Sequence, residues 1–193
     1  MLDQKISVAI EEYKTLRQES LESMKGQQST VRMGMATVGV VIAAGFNVWD
    51  KTPLSDLVFL AFNPIICYLT LIIWIGEVTR MMRVGNYLSL IEKKLNGYFK
   101  EEDPIIYWEN WLRTKNAKDQ TPQLKDNYKA IISLFLGTAI SSTAIGFYRI
   151  WDKVQILTLI CGFIIELLLF VSTFEYMRRT SNKLQQFAGV LKK

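Results

Sequence analysis

One acidic residue stands inside an otherwise uncharged apolar run. Glu166 is thirteenth of the 21 residues between Lys153 and Glu175. An ionisable group near the middle of a membrane-spanning helix costs roughly 2.5–3.5 kcal/mol on insertion scales, so its default reading is functional. Two uses fit it: a carboxylate facing a pore or site, and a protonated acid hydrogen-bonded inside a helix bundle. The other apolar runs hold groups that would join it. Ser133, Thr138, Ser141, Ser142 and Thr143 share one run, and another contains Asn63 followed by Pro64, which removes a backbone hydrogen bond and can bend a helix. The expected intramembrane polar site is Glu166, Asn63, Ser141 and Ser142. A ring of Glu166 carboxylates in an oligomer would favour cations.

Little else in the sequence could do chemistry. Histidine is absent, which removes His-based triads, His metal ligands and His proton shuttles. Cys67 and Cys161 lie far apart inside apolar runs, so neither a disulfide framework nor a zinc site is expected. No glycine-rich phosphate loop, paired-cysteine motif or nucleophile with a base is present. The expectation is a protein that is not an enzyme and uses no metal or cofactor.

The elements that must position these residues follow from the charges. Half of the 193 residues are hydrophobic and 21% are charged, and the two classes are segregated. Between Arg32 and Asp50 lie 17 uncharged residues, between Asp56 and Glu77 20, and between Lys129 and Arg149 19; the run holding Glu166 is the fourth. Each is long enough to cross a bilayer core, the first being short and rich in glycine and alanine. A soluble four-helix bundle would carry polar stripes that these runs lack. The expected fold is all-α: a polytopic membrane protein with four transmembrane helices in two hairpins and long cytoplasmic helical extensions. Its segments are 1–32, a cytoplasmic amphipathic helix; 33–76, the first hairpin; 77–129, a cytoplasmic helix and connection; 130–174, the second hairpin; and 175–193, a cytoplasmic C-terminal helix. Lys and Arg number 20 in the first, third and fifth segments and 3 in the two hairpin turns. Both termini are therefore expected in the cytoplasm, with the protein in the cell's inner (plasma) membrane. The N-terminus begins a polar helix with no secretory apolar core, so insertion without cleavage is expected.

The hairpins resemble each other. Gly45-Phe46-Asn47-Val48-Trp49-Asp50-Lys51 matches Gly146 to Lys153 with one extra residue, and Glu-x-x-Arg follows the second and fourth runs as Glu77 with Arg80 and Glu175 with Arg178. Parallel duplication and chance convergence both account for this. Either glutamate is spaced to pair with its arginine within one helix. Small residues four apart (Gly39 and Ala43, Gly137 and Ser141, Ser142 and Gly146) mark places where helices can approach closely.

Outside the runs, near-heptad seams are expected at Ile6, Ile10, Tyr13 and Leu16; at Val84, Leu88, Ile91, Leu95 and Tyr98; and at Met177, Thr180, Leu184, Phe187 and Leu191. No proline separates Gly76 from Lys100, so the second span can continue as one helix. The alternative is that these segments lie flat on the membrane. Arg80, Arg83, Lys93, Lys94, Arg178, Arg179 and Lys183 make basic faces for an anionic ligand or acidic partner, or for anionic lipid alone. Trp49, Trp108, Trp111 and Trp151 are expected as interface anchors, with Trp108 and Trp111 alternatively plugging against the cytoplasmic helices.

Three stretches carry a family resemblance: the Tyr13…Leu16-Arg17 helix; Glu77 to Glu92, including Arg80-Met81-Met82-Arg83-Val84-Gly85-Asn86-Tyr87-Leu88; and Trp108-Glu109-Asn110-Trp111-Leu112-Arg113. In these and in layout the chain resembles the small multi-span membrane effector and sensor proteins of prokaryotic anti-phage defence operons. The resemblance implies an effector that arrests growth or depolarises the membrane when triggered, typically as an oligomer. It carries over no catalytic residue. The expected function is a gated ion channel or membrane-disrupting effector under cytosolic control. The alternative is a membrane scaffold or sensor that recruits a soluble partner without conducting. Expected partners are copies of the chain itself, with a tetramer favoured, anionic lipids, and a cytosolic protein or an anionic nucleotide or oligonucleotide signal.

Overall fold

The computed structural model describes residues 2–50, 54–99, 105–112, 123–151, 163–164 and 167–180. Every regular element among them is helical. α1 is Leu2–Asn47 and α2 is Leu54–Leu57; a π-helical turn, Val58–Phe62, leads into α3, Asn63–Phe99; α4 is Trp108–Leu112 and α5 is Gln123–Ile150. Residues 167–180 form a further helical stretch, α6. Among the described residues, three helices are long and apolar enough to cross a membrane: Gln4–Asn47, Leu54–Tyr98 and Asn127–Ile150. Their most apolar windows rank as the sequence suggests, the first being weakest at a mean hydropathy of 1.4 against 2.2 and 1.8. Of the expected fourth span, only 163–164 and 167–174 are described. Glu166 and Lys183 lie outside the described residues, as do Leu184, Phe187 and Leu191.

The chain divides into two compact units, one of residues 1–27, 76–126 and 180–193, the other of 28–75 and 127–179. In the first unit, α1 and α3 pair antiparallel. The Tyr13 hydroxyl donates to Glu92, Arg80 donates to Glu19 and Gly26 packs against Glu77, so rising numbers on α1 meet falling numbers on α3. The expected apolar seam on α3 is buried at Val84, Leu88, Ile91 and Leu95, whereas Tyr98 is exposed. On α1 the buried positions are polar, Ser20, Ser23 and Gln27, while Ile6, Ile10, Tyr13 and Leu16 are half-buried. Small side chains here let the helices approach. Gly26 sits so close to Glu77 that an added Cβ would stand 3.2 Å from its Oε2.

The second unit is built around the apolar part of α3. Its most apolar window is 56% buried, against 17% for α1 and 22% for α5. Outward apolar faces suit helices in lipid, which solvates them as well as a protein core does. The core comprises Phe59, Cys67, Tyr68, Leu71, Trp74 and Ile75 with Val38 of α1 and Phe135 and Ala139 of α5.

Glycines set the close contacts. A Cβ at Gly45 of α1 would stand 2.8 Å from Phe59, and one at Gly146 of α5 would stand 2.5 Å from Leu60. The two glycines that head the matching hairpin sequences therefore seat the same π-helical turn from two helices. Gly34 packs against Thr70 and Phe135 in the same way. Of the small pairs expected from spacing, Ser142 and Gly146 lie at such a contact. Gly39 and Gly137 do not, since nothing lies within 4 Å of a Cβ at either. Substituting alanine at Gly146 or Gly34 should therefore overpack the unit and cost about 1–3 kcal/mol. The same change at Gly39 or Gly137 should leave the protomer's stability unchanged or slightly raised, because alanine is the better helix former. Unfolding titrations in detergent of the four variants check this contrast.

Candidate functional site

Both units bury polar groups among the described residues. In the second unit the cause is Pro64. It has no N–H, and in an α-helical register its ring would collide with the carbonyl of Leu60, four residues earlier. The chain widens into the π turn instead, and the Asn63 N–H donates to the Val58 carbonyl, five residues back. The next bond in that register would run from residue 64 to the Phe59 carbonyl, and Pro64 cannot make it. The Ser142 hydroxyl of α5 donates to that carbonyl at 2.9 Å in a buried setting. A side chain on one helix thus replaces a backbone donor missing from another.

Asn63 itself is wholly buried, and among the described residues neither Oδ1 nor Nδ2 has a hydrogen-bond partner. Ser55 of α2 is likewise buried, its hydroxyl unpartnered among the described residues. Ser141, one position from Ser142, is exposed and lines a cleft of about 360 Å³ with Ser133, Gly137 and Thr138 of α5 and Ile42 and Phe46 of α1.

At the ends of α1 and α5, Arg149 Nε donates to Asp56 at 2.7 Å, and its Nη2 donates to the Trp49 carbonyl at 2.7 Å. The guanidinium lies 4.0 Å over the Trp49 ring. Trp49 stacks on Phe46, and both meet Phe59 edge-on. Trp49 is thus held inside a cluster, whereas Trp151, its counterpart in the matching sequence, is 69% exposed. Asp56 and Arg149, which serve in the sequence only as charges bounding apolar runs, form a largely buried ion pair.

In the first unit the centre is Glu92, fully buried on α3. A carboxylate offers about four acceptor sites, and here four donors reach it. Oε1 accepts from the Glu109 N–H at 2.9 Å and the Tyr13 hydroxyl at 3.1 Å; Oε2 accepts from the Asn110 N–H and Nδ2, both at 2.9 Å. The two backbone donors belong to the first turn of α4, where N–H groups lack intrahelical acceptors. Ser89 and Asn96 extend the clamp. The Ser89 hydroxyl donates to Asn110 Oδ1, and the Asn96 carboxamide both donates to the Ile106 carbonyl and accepts from its N–H. Arg17 of α1 pairs with Glu109 at 2.8 Å and lies 5.5 Å from the Trp108 ring centroid. Trp108 and Trp111 stack at 5.7 Å. Spacings of three and four put Ser89, Glu92 and Asn96 on one face of α3, so the signal was present. It is a stripe of ordinary polar residues whose use depends on what docks there.

The basic residues fall in both units. Arg80, Arg83, Lys93 and Lys94 of the first are exposed, as are Arg178 and Arg179 of the second. The expected Glu-x-x-Arg pairing is not what the side chains do. Arg80 pairs with Glu19 across helices, and Glu175 pairs with Arg179, four residues on, which holds its carboxyl below the usual range. Tertiary reach and the better (i, i+4) geometry win over the (i, i+3) spacing.

These features define an all-helical chain with helices able to cross a membrane and with buried polar groups in both units. No protein family, curated protein or solved structure matches the chain. The resemblance to anti-phage effectors rests on the stretches quoted above.

Two outcomes follow from the clusters. Ser142→Ala should cost about 0.6–2 kcal/mol, the usual worth of a hydrogen bond between membrane helices. In a Pro64→Ala background, which restores the missing N–H, that cost should shrink; a double-mutant cycle on unfolding free energy measures the coupling. For Tyr13, burial and then the Glu92 carboxylate push the phenol up from 10 to about 12. The neutral phenol is the form the fold favours, so its contribution is complete below pH 10 and is lost as pH rises from 10 to 12. Melting curves between pH 9 and 12 should show this loss in the wild type, and Tyr13→Phe should remove that part of the slope.

Proposed function

We propose that this protein is an oligomeric integral membrane protein that acts as a gated ion channel or membrane-disrupting effector in prokaryotic anti-phage defence, controlled by a cytosolic signal or partner. On this reading it crosses the inner membrane four times with both termini in the cytoplasm. Copies of the chain, most simply four, would line the path, since one protomer of this size cannot enclose water and still pack its helices. The observation that carries the reading is Asn63. A buried carboxamide with both polar atoms unpartnered among the described residues is costly in a helix long and apolar enough to span a membrane, and a polar group kept at such a position is a functional-site candidate. The acid at Glu166, in the fourth apolar run, adds a second polar group of the kind a cation path needs.

A second reading, a scaffold that recruits a soluble protein without conducting, is favoured by a different observation. The first unit devotes a buried carboxylate to holding a short aromatic segment whose side chains stay exposed. Reversal potentials in asymmetric salt, recorded on the purified protein in planar bilayers, separate the two. Channel activity should be cation-selective, and Glu166→Gln should reduce that selectivity with the oligomer intact. Conductance no greater than in protein-free bilayers, both alone and with a bound partner, would defeat the channel and leave the scaffold.

A further inference from the structure

Among the described residues, the bonds that attach segment 105–112 to α3 are polar. The Glu109 and Asn110 N–H groups and Asn110 Nδ2 donate to Glu92, and Asn110 Oδ1 accepts from the Ser89 hydroxyl. Ile106 exchanges two bonds with Asn96. The large side chains contribute less, since Ile105, Tyr107 and Trp108 are 53%, 44% and 49% exposed while the segment is docked. Undocking therefore uncovers less apolar surface than removal of an ordinary amphipathic turn, and water can satisfy each polar group it sets free. The α1–α3 pair beneath is held differently. Val84, Leu88, Ile91 and Leu95 are buried in its seam, and water does not replace apolar contacts. One unit thus has two layers of unequal hold, the condition under which one opens while the other stays closed.

We propose that segment 105–112 is a releasable strap across α1 and α3, with Glu92 as its catch: it leaves and returns as one unit while the helix pair stays folded. Three of the four donors on the Glu92 carboxylate belong to Glu109 and Asn110. The fourth is the Tyr13 hydroxyl of α1, which Glu92 keeps when the strap leaves and water takes the other sites. The strap is also anchored on α1 directly. Arg17 pairs with Glu109 at 2.8 Å and lies 5.5 Å from the Trp108 ring centroid. With anchors on both helices, the strap closes on one register of α1 against α3, and a shift of either helix loosens it. It is a device that turns a small movement of the pair into release of an aromatic segment. The chemistry of the catch is one-sided, because a carboxylate only accepts and every group aimed at it is a donor. A carboxamide at position 92 would turn an NH2 towards those donors, and a carboxylate at position 110 would set like charges face to face.

Hydrogen exchange read by mass spectrometry on the full-length protein in nanodiscs tests both layers at once. In the wild type, amides of 105–112 should have protection factors at least about tenfold lower than those of 84–95. Asn110→Asp places an oxygen where Nδ2 now stands, 2.9 Å from Glu92 Oε2. It should lower the protection of 105–112 at least about tenfold further and leave 84–95 unchanged. Glu92→Gln should lower the protection of 105–112 in the same way. Ile105→Ser, at an exposed apolar position, should change it by no more than about twofold, because polar bonds carry the attachment. Equal protection of 105–112 and 84–95 in the wild type would overturn the strap. So would loss of protection in both segments together in Asn110→Asp, no loss in that variant, or a tenfold loss in Ile105→Ser. Amide exchange is read without reference to conductance, so the strap stands or falls separately from the channel.

Discussion

Pro64 cannot donate a backbone hydrogen bond, and its ring has no room for the carbonyl four residues before it. Much of the second unit follows from that one constraint. The chain widens into a π turn at Val58–Phe62, which leaves the Phe59 carbonyl without its backbone donor, and Ser142 supplies the proton instead. The turn is bulky, so the helices that touch it need room, and they have glycine where they approach: Gly45 on α1 and Gly146 on α5. Phe59, projecting from the turn, then becomes the centre of an aromatic cluster that carries Trp49 under the Arg149 guanidinium. In water, a missing amide proton is replaced cheaply by solvent. In a membrane core it is not, and a partner helix must replace it.

The first unit answers a different constraint with the same logic. Short α4 could not hold itself in water, because five residues form barely one turn and its first N–H groups have no acceptors. Glu92 provides them from outside the helix, and a carboxylate can be buried at 0% exposure only because each of its acceptor sites is filled. Along the same α1–α3 pair the seam combines Val84, Leu88, Ile91 and Leu95 with the polar Ser20, Ser23 and Gln27. Adhesion there comes from one helix's aliphatic side chains and the other's small ones, supplemented by the bonds at Tyr13, Glu19 and Glu12.

Buried polar groups therefore do two jobs in this protein. Ser142, Glu92, Asp56 and Arg149 are satisfied, and each ties together elements distant in sequence. Asn63, Ser55 and Ser23 are buried and, among the described residues, unpartnered. A satisfied group specifies a fold, while an unsatisfied one is a standing cost that solvent, a ligand or another arrangement would relieve. That two of the three lie on either side of the π turn puts the cost where the helix register is already irregular, the kind of place where π turns are found at functional sites.

The sequence by itself determined the helical class, the apolar runs and the long unbroken course of α3, because these depend on charge spacing, hydropathy and the positions of proline, all of which are local. It also marked Pro64 as a break and Ser142 with Gly146 as a close-packing pair. What only the tertiary structure decided is how the polar residues are spent. The Glu-x-x-Arg spacing permits an intrahelical pair, yet Arg80 reaches Glu19 on another helix, sixty-one positions away. Gly34 reads as an ordinary residue of a small-residue-rich span until Thr70 and Phe135 are placed against it, and Gly45 as the head of a repeated turn sequence until Phe59 is. Glu92 reads as one more charge on a solvated helix until Glu109 and Asn110 turn their amides toward it. In each case the local pattern is compatible with several partners of similar energy, and the choice among them is made by which backbone the folded chain brings within about 3 Å.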